Sequence, residues 1–282
     1  MSNFPSIRWI HRQYGDWPSF SPDGKQVVFW LDNALCVINS DGTDLHLLYP
    51  QKGVPDISAT RPDWSWNADN IAFTYNQTEI WTVHPDGSGA TLYCRVPIGW
   101  NLYYPSWYRD LEALVAVGYN QANTQAELFK LTPDSAEVLT TSPHPCAGRP
   151  SVNPDGTKIA FAGNWGEYKQ VQNQIWVVEP PGKPFLLEPG DNLSLIQGRS
   201  PNWSPKGDLI VFESTRPFPN PGPSTPLAIW VMNSDGTDPR PLTDRGLFSA
   251  YHAEWSRQQT QIVFAAQGMG IGIIDFPCKE TG

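Results

Sequence analysis

The groups from which this 282-residue chain could build chemistry are few, and their spacing excludes most familiar sites. His11, His46, His84, His144 and His252 show no HxH or HExxH pattern, the spacing that sets two imidazoles on one face to hold a metal. No Gly-x-Ser-x-Gly elbow presents a serine nucleophile, and no P-loop or dinucleotide fingerprint cradles a phosphate. Cys36, Cys94, Cys146 and Cys278 are widely spaced with no CxxC pair, and Cys36 lies in an apolar strand pattern. The expectation is free, mostly buried thiols and no structural zinc. Three constellations remain. Arg61 and Arg149 carry guanidinium forks that grip a carboxylate bidentately. Asp63 and Glu254 could donate oxygens to a hard cation, and His252 with Glu254 and Arg61 could form an acid–base cluster. Whether these residues meet depends on the elements that carry them.

Those elements are copies of one unit. Ser19-Phe-Ser-Pro-Asp-Gly-Lys-Gln-Val-Val-Phe29 recurs as segments ending at 73, 116, 161, 212 and 264, with steps of 44, 43, 45, 51 and 52 residues. Each copy continues into a second apolar segment: Leu35–Ile38, Ile80–Val83, Leu128–Leu131, Ile175–Val178, Ile229–Met232 and Ile271–Ile274. Asp-Gly corners follow at Asp41-Gly42, Asp86-Gly87 and Asp235-Gly236. Asp-Gly between apolar runs signals a hairpin, because glycine accepts the positive φ of the turn. Four antiparallel strands repeated six times describe an all-β, six-bladed β-propeller, here a single domain over residues 1–282. The last copy lacks its outer strand, while Ile7–Ile10 precedes the first. The N-terminal segment is therefore expected to complete the sixth blade and close the ring.

In a closed ring, equivalent positions form circles. Three residues before the Trp-Ser position stand Trp17, Arg61, Tyr104, Arg149, Ser200 and His252, each but the last followed by proline. This circle is expected at the channel mouth, on the face of the longer b–c and d–a loops. Its Arg and aromatic content matches binding hot spots and would also suit a carboxylate or sugar. Arg61 and Arg149 suit hydrogen bonds to inter-blade carbonyls equally well. One residue before the Trp position stand Ser19, Asp63, Ser106, Ser151, Asn202 and Glu254. Its two carboxylates are two blades apart, so no metal ligand set is assigned. The repeating Trp64, Trp107, Trp203, Trp255, Trp81, Trp176 and Trp230 are expected to pack between blades, and the Asp-Gly pairs to serve turns. Function is expected on the long loops, where Trp100, Trp165 and Tyr168 are further contact candidates. The short-turn face is expected to contribute little.

Composition narrows the partners. With 19 Lys+Arg against 28 Asp+Glu the net charge is −9, which disfavours nucleic acid, whose phosphates call for clustered basic residues. Apolar runs are too short for a membrane helix. Met1-Ser-Asn-Phe-Pro-Ser-Ile-Arg-Trp9 lacks a basic stretch followed by an apolar one, so a cytoplasmic location is expected.

The patterns Trp-Ser-Pro-x-Gly-x-x-Ile-x-Phe and Ile-Trp-Val-Met-Asn-x-Asp-Gly-Thr resemble the PD40 (WD40-like) repeats of the TolB-like propeller family. Ser21-Pro-Asp-Gly24, Asn153-Pro-Asp-Gly156 and Ser204-Pro-Lys-Gly207 carry the resemblance best, and it covers essentially the whole chain. The Gly-His…Trp-Asp signature of true WD40 repeats is missing, as is the mixed α/β domain that precedes the propeller in TolB. The resemblance implies a protein-docking platform; some propellers of this class are instead lyases or hydrolases. The reading is a non-catalytic, monomeric scaffold for a protein or peptide, without cofactor or metal. The alternative is a carbohydrate- or small-acid-binding propeller that uses its central channel, either for binding alone or as a lyase or hydrolase.

Overall fold

The computed structural model describes residues 4–50, 61–110, 112–122, 125–140, 146–163, 174–187, 198–216 and 226–276. Its strands form six four-stranded antiparallel sheets, the blades of a six-bladed β-propeller. Within each blade the strands run a to d from the channel outward. The inner strands a are Asp16–Phe20, Asp63–Trp64, Trp100–Trp107, Cys146–Val152, Gly198–Trp203 and Ala250–Trp255.

The second and third strands read as continuous apolar runs because each blade is covered on both faces by its neighbours. Ile159–Gly163 and Gln174–Val178 are buried at every position. At the repeat's closing position Phe29, Phe73, Phe161, Phe212 and Phe264 are fully buried. Blade 3 has Ala116 there, and Phe129 pairs directly with it from the next strand, supplying the ring from the other side. The Trp-Ser tryptophans fill the seams as expected: Trp64 packs against Val28, Leu35 and Val37 of blade 1, and Trp255 against Val211 of blade 5.

The ring closes as the sequence implies. Ile7–His11 pairs with Gly270–Asp275 and is the outer strand of blade 6, with Ile7 opposite Ile274 and Trp9 opposite Gly272. The Asp-Gly pairs serve turns: Asp41, Asp86 and Asp235 each accept from the backbone N–H and the hydroxyl of the residue two further on. Cys36 and Cys94 are free and buried, while the side chain of Cys146 and all of Cys278 lie outside the described residues.

Candidate functional site

The circle at the start of strand a is built by one repeated backbone device. In blades 1, 3, 4, 5 and 6 two inner-strand residues face one on the neighbouring strand: Asp16 pairs with Trp30 and Ser19 with Val28, and the other four repeat this slip. Inside each bulge the circle residue has positive φ: Trp17 48°, Tyr104 57°, Arg149 58°, Ser200 49° and His252 57°. A bulge leaves one residue unpaired and re-aims its side chain. Trp17, Arg61, Arg149, Ser200 and His252 thus line one cavity at the channel mouth. Tyr104 sits beside it, 6.2 Å from the Trp17 ring and 5.7 Å from the Arg149 guanidinium.

The members of this circle are tied to one another. Trp17 Nε1 donates to His252 Nε2 over 3.1 Å, with the two rings stacked at 5.3 Å. His252 Nδ1 then carries the proton and donates to Asp16 Oδ1. Burial, aided by Arg149, holds His252 below the ordinary histidine range, so the imidazole is neutral. Arg149 pairs with Glu213 at 2.9 Å and donates to the Ser200 hydroxyl, and Glu213 also accepts the His252 backbone N–H at 2.7 Å. Burial works against the Glu213 charge, but Arg149 and the surrounding donors outweigh it and hold the carboxyl below its ordinary value. Arg61 reaches Glu254 at 3.7 Å and the Pro150 carbonyl at 3.5 Å. The space left between these groups is about 10 Å³, room for roughly one water molecule.

The next circle inward is an inter-blade zip. Each acceptor side chain takes the backbone N–H of the Trp-position residue on the following blade: Ser19 from Trp64 (3.2 Å), Asp63 from Trp107 (2.7 Å), Ser151 from Trp203 (3.1 Å), Asn202 from Trp255 (3.2 Å) and Glu254 from Phe20 (3.2 Å). Ser19 also donates to Glu254 at 2.9 Å. The common feature is a short or acidic acceptor at one repeat position, so the zip was visible once the copies were aligned.

Asp63 and Glu254 are buried acids braced by Arg61 and Arg257, which work against the shifts described next. Burial raises both; the Asp63 charge adds to the effect on Glu254, which is pushed up to about 7. Two guanidiniums beside the pair occupy the electrostatic role that a bound cation would play.

A third circle closes the opposite mouth. The positions after Trp-Ser hold Pro22, Pro154 and Pro205 in blades 1, 4 and 5, but Trp66, Arg109 and Arg257 in blades 2, 3 and 6. These three stack: Arg257 lies 3.6 Å and Arg109 5.2 Å from the Trp66 ring centroid. Arg257 also donates to the Trp64 carbonyl at 2.7 Å, and Arg109 to the Pro205 carbonyl at 3.3 Å. Among the described residues, side chains of the chain itself occupy both mouths of the channel. Sequence reasoning missed this cap, although the break in the Pro-x-Gly pattern marked it.

On the long-loop face a line of aromatic contacts crosses the mouth. Tyr14 meets Trp30 at 5.9 Å, Trp30 meets Trp17 at 6.0 Å, and beyond Tyr104 the line continues through Tyr103 to Tyr119. Tyr14, Ile98 and Leu247, each in a loop between blades, are exposed. Trp100 packs edge-on against Phe129 at 5.1 Å within blade 3, so its ring supports the blade. Trp165 and Tyr168 lie outside the described residues, as do most of the long loops that carry them. The short-turn face differs from expectation: among the described residues, grooves open there between blades 2 and 3 and between blades 3 and 4.

No protein-family model and no curated protein matches this chain. Solved structures do. A putative TolB from Agrobacterium tumefaciens superposes with a TM-score of 0.70 at 18% identity, covering 99% of this chain and 100% of that one. A gluconolactonase from Xanthomonas campestris gives 0.69 at 11% identity, covering 96% and 89%. An oligogalacturonate lyase from Vibrio parahaemolyticus gives 0.63 at 15% identity, covering 97% and 94%. At these identities the likeness is one of fold.

Proposed function

We propose that this propeller is a non-catalytic scaffold that docks a protein or peptide on its long-loop face. The aromatic line across that mouth, rimmed by exposed Tyr14, Ile98 and Leu247, carries the reading. Trp, Tyr and Arg dominate binding hot spots because large rigid side chains bury area at little entropic cost. The filled channel points the same way, since a cavity the size of one water admits no sugar ring. The PD40 resemblance, a monomeric state and a cytoplasmic location belong to this proposal.

The test is capture from host lysate by wild type and by an Ile98→Asp, Leu247→Asp double variant. Both substitutions sit on exposed loops, so the variant should melt with wild type. A partner held by wild type and lost by the variant supports the reading. A partner held equally by both, or none for either, overturns it.

The neutral His252, oriented by Asp16 beside Arg61 and Arg149, favours a second reading as a small-acid or carbohydrate enzyme. His252 could act as a base only if Trp17 left Nε2. Lyase or hydrolase turnover on a uronate and lactone panel, lost in His252→Ala, would establish it.

A further inference from the structure

The groove between blades 2 and 3 on the short-turn face has about 360 Å³, within the roughly 300–1,000 Å³ range of ligand sites. It lies where the repeat is broken: Trp66 and Arg109, which begin the two turns flanking it, stand where blades 1, 4 and 5 have the proline of Pro-x-Gly. Among the described residues the apolar lining is aromatic: Trp107 and Tyr108 are buried, Trp66 is half-buried under Arg257 and Arg109, and Tyr93 is the half-buried ring left open to the groove. The Tyr93 hydroxyl donates to the Glu112 carbonyl at 2.8 Å, and its ring meets Trp107 edge-on at 5.5 Å, so this wall is pre-formed. The longer polar side chains are Asn67, Asn70, Arg109, Asp110 and Glu112, all planar amides, carboxylates or a guanidinium, and no lysine is among them.

We infer that this groove binds a neutral oligosaccharide. Planar two-headed groups match pairs of adjacent hydroxyls, and the half-buried Tyr93 ring offers its face to the C–H side of a sugar ring. A peptide anchored by aliphatic side chains would find no aliphatic pocket in the described lining. An acidic sugar would face exposed Asp110 and Glu112, while Arg109 is already engaged by Trp66 and Pro205. The Asn70 amide and the Glu112 carboxylate make no side-chain hydrogen bond to described residues and are free to meet hydroxyls. The site is on the opposite face from the docking surface and does not depend on it.

The experiment follows tryptophan indole resonances while tetrasaccharides of glucose, mannose and N-acetylglucosamine are titrated, with trigalacturonate as the acidic comparison. At least one neutral sugar should bind with a dissociation constant of about 1 mM or tighter. Asp110→Ala, at a highly exposed position, should weaken it about tenfold, as expected for one lost hydrogen bond from a charged group. Tyr93→Ala should abolish binding, and the Ile98→Asp, Leu247→Asp double variant should leave it unchanged. Failure of every neutral sugar to bind, equal binding of trigalacturonate, or undiminished binding by both groove variants would overturn the inference.

Discussion

Arg257 lies 3.6 Å from the Trp66 ring centroid, and blade 1 stands between the two blades that carry them. The guanidinium also faces the buried Asp63 and Glu254 from the short-turn side, while Arg61 braces them from the other. Arg257 is therefore both cap and counter-ion. Arg257→Ala leaves the two acids with half of their compensation, and removing one partner of a buried ionic group costs about 3–5 kcal/mol. Urea unfolding should show a loss of that order. Arg257→Lys keeps the charge but loses the planar stack, and should fall between the two.

Glu254 gives the fold a pH dependence of unusual sign for a carboxylate. Its folded-state value is raised from 4.5 to about 7, so the folded protein holds the proton more tightly than the unfolded chain. That contribution is full below about pH 4.5 and is lost as pH rises through 7. His252, held below 6.5 by burial, acts oppositely: its contribution is present above 6.5 and is lost as pH falls below it. Glu254→Gln keeps the acceptor for Ser19 and Phe20 and removes only the first effect. Between pH 5 and 8 the variant should gain on wild type by up to about 3 kcal/mol in thermal or urea unfolding. A difference that stays flat with pH would remove Glu254 as the titrating group.

The closing strand carries a simpler prediction. Ile7–His11 is the outer strand of blade 6, and Trp9 packs on Phe248 and Phe264 at 5.4 and 5.9 Å. Deleting residues 1–13 removes this packing and bares the edge of Gly270–Asp275. The truncated chain should unfold well below wild type in a thermal melt and form higher-order species in size-exclusion chromatography. A truncation that melts like wild type would show that the ring does not depend on this strand.

The architecture was legible because a repeat multiplies every signal by six: one Asp-Gly is a hint, whereas copies in register fix the blade. The circle of Trp17, Arg61, Arg149 and His252 was legible for the same reason. Its internal pairing was not, because Asp16, the residue before Trp17, and Glu213, on the second strand of blade 5, are acidic in one copy of the repeat each. The Trp66, Arg109 and Arg257 cap escaped notice for a different reason. A repeat reading looks for what the copies share, and these residues matter where the copies differ.

Those differences also reach the turns themselves. The fourth residue of the a–b turn has positive φ in blades 1, 4 and 5, where it is Gly24, Gly156 and Gly207. Blades 2 and 6 hold Ala68 at φ 69° and Gln259 at φ 58° in the same place. A side chain in this region costs roughly 1–2 kcal/mol, partly offset by the greater unfolded-state freedom of glycine. Ala68→Gly should therefore stabilise the protein by about 0.5–1 kcal/mol. Gln259→Gly should go the other way. Gln259 is buried, donates to Asp208 at 2.8 Å and accepts the Lys206 N–H at 3.1 Å, and losing two such bonds outweighs the relieved backbone by about 1 kcal/mol or more. Paired urea titrations of the two variants decide the point. Opposite signs are expected, and a shared sign would mean that either the strain at Ala68 or the bonds of Gln259 contribute nothing.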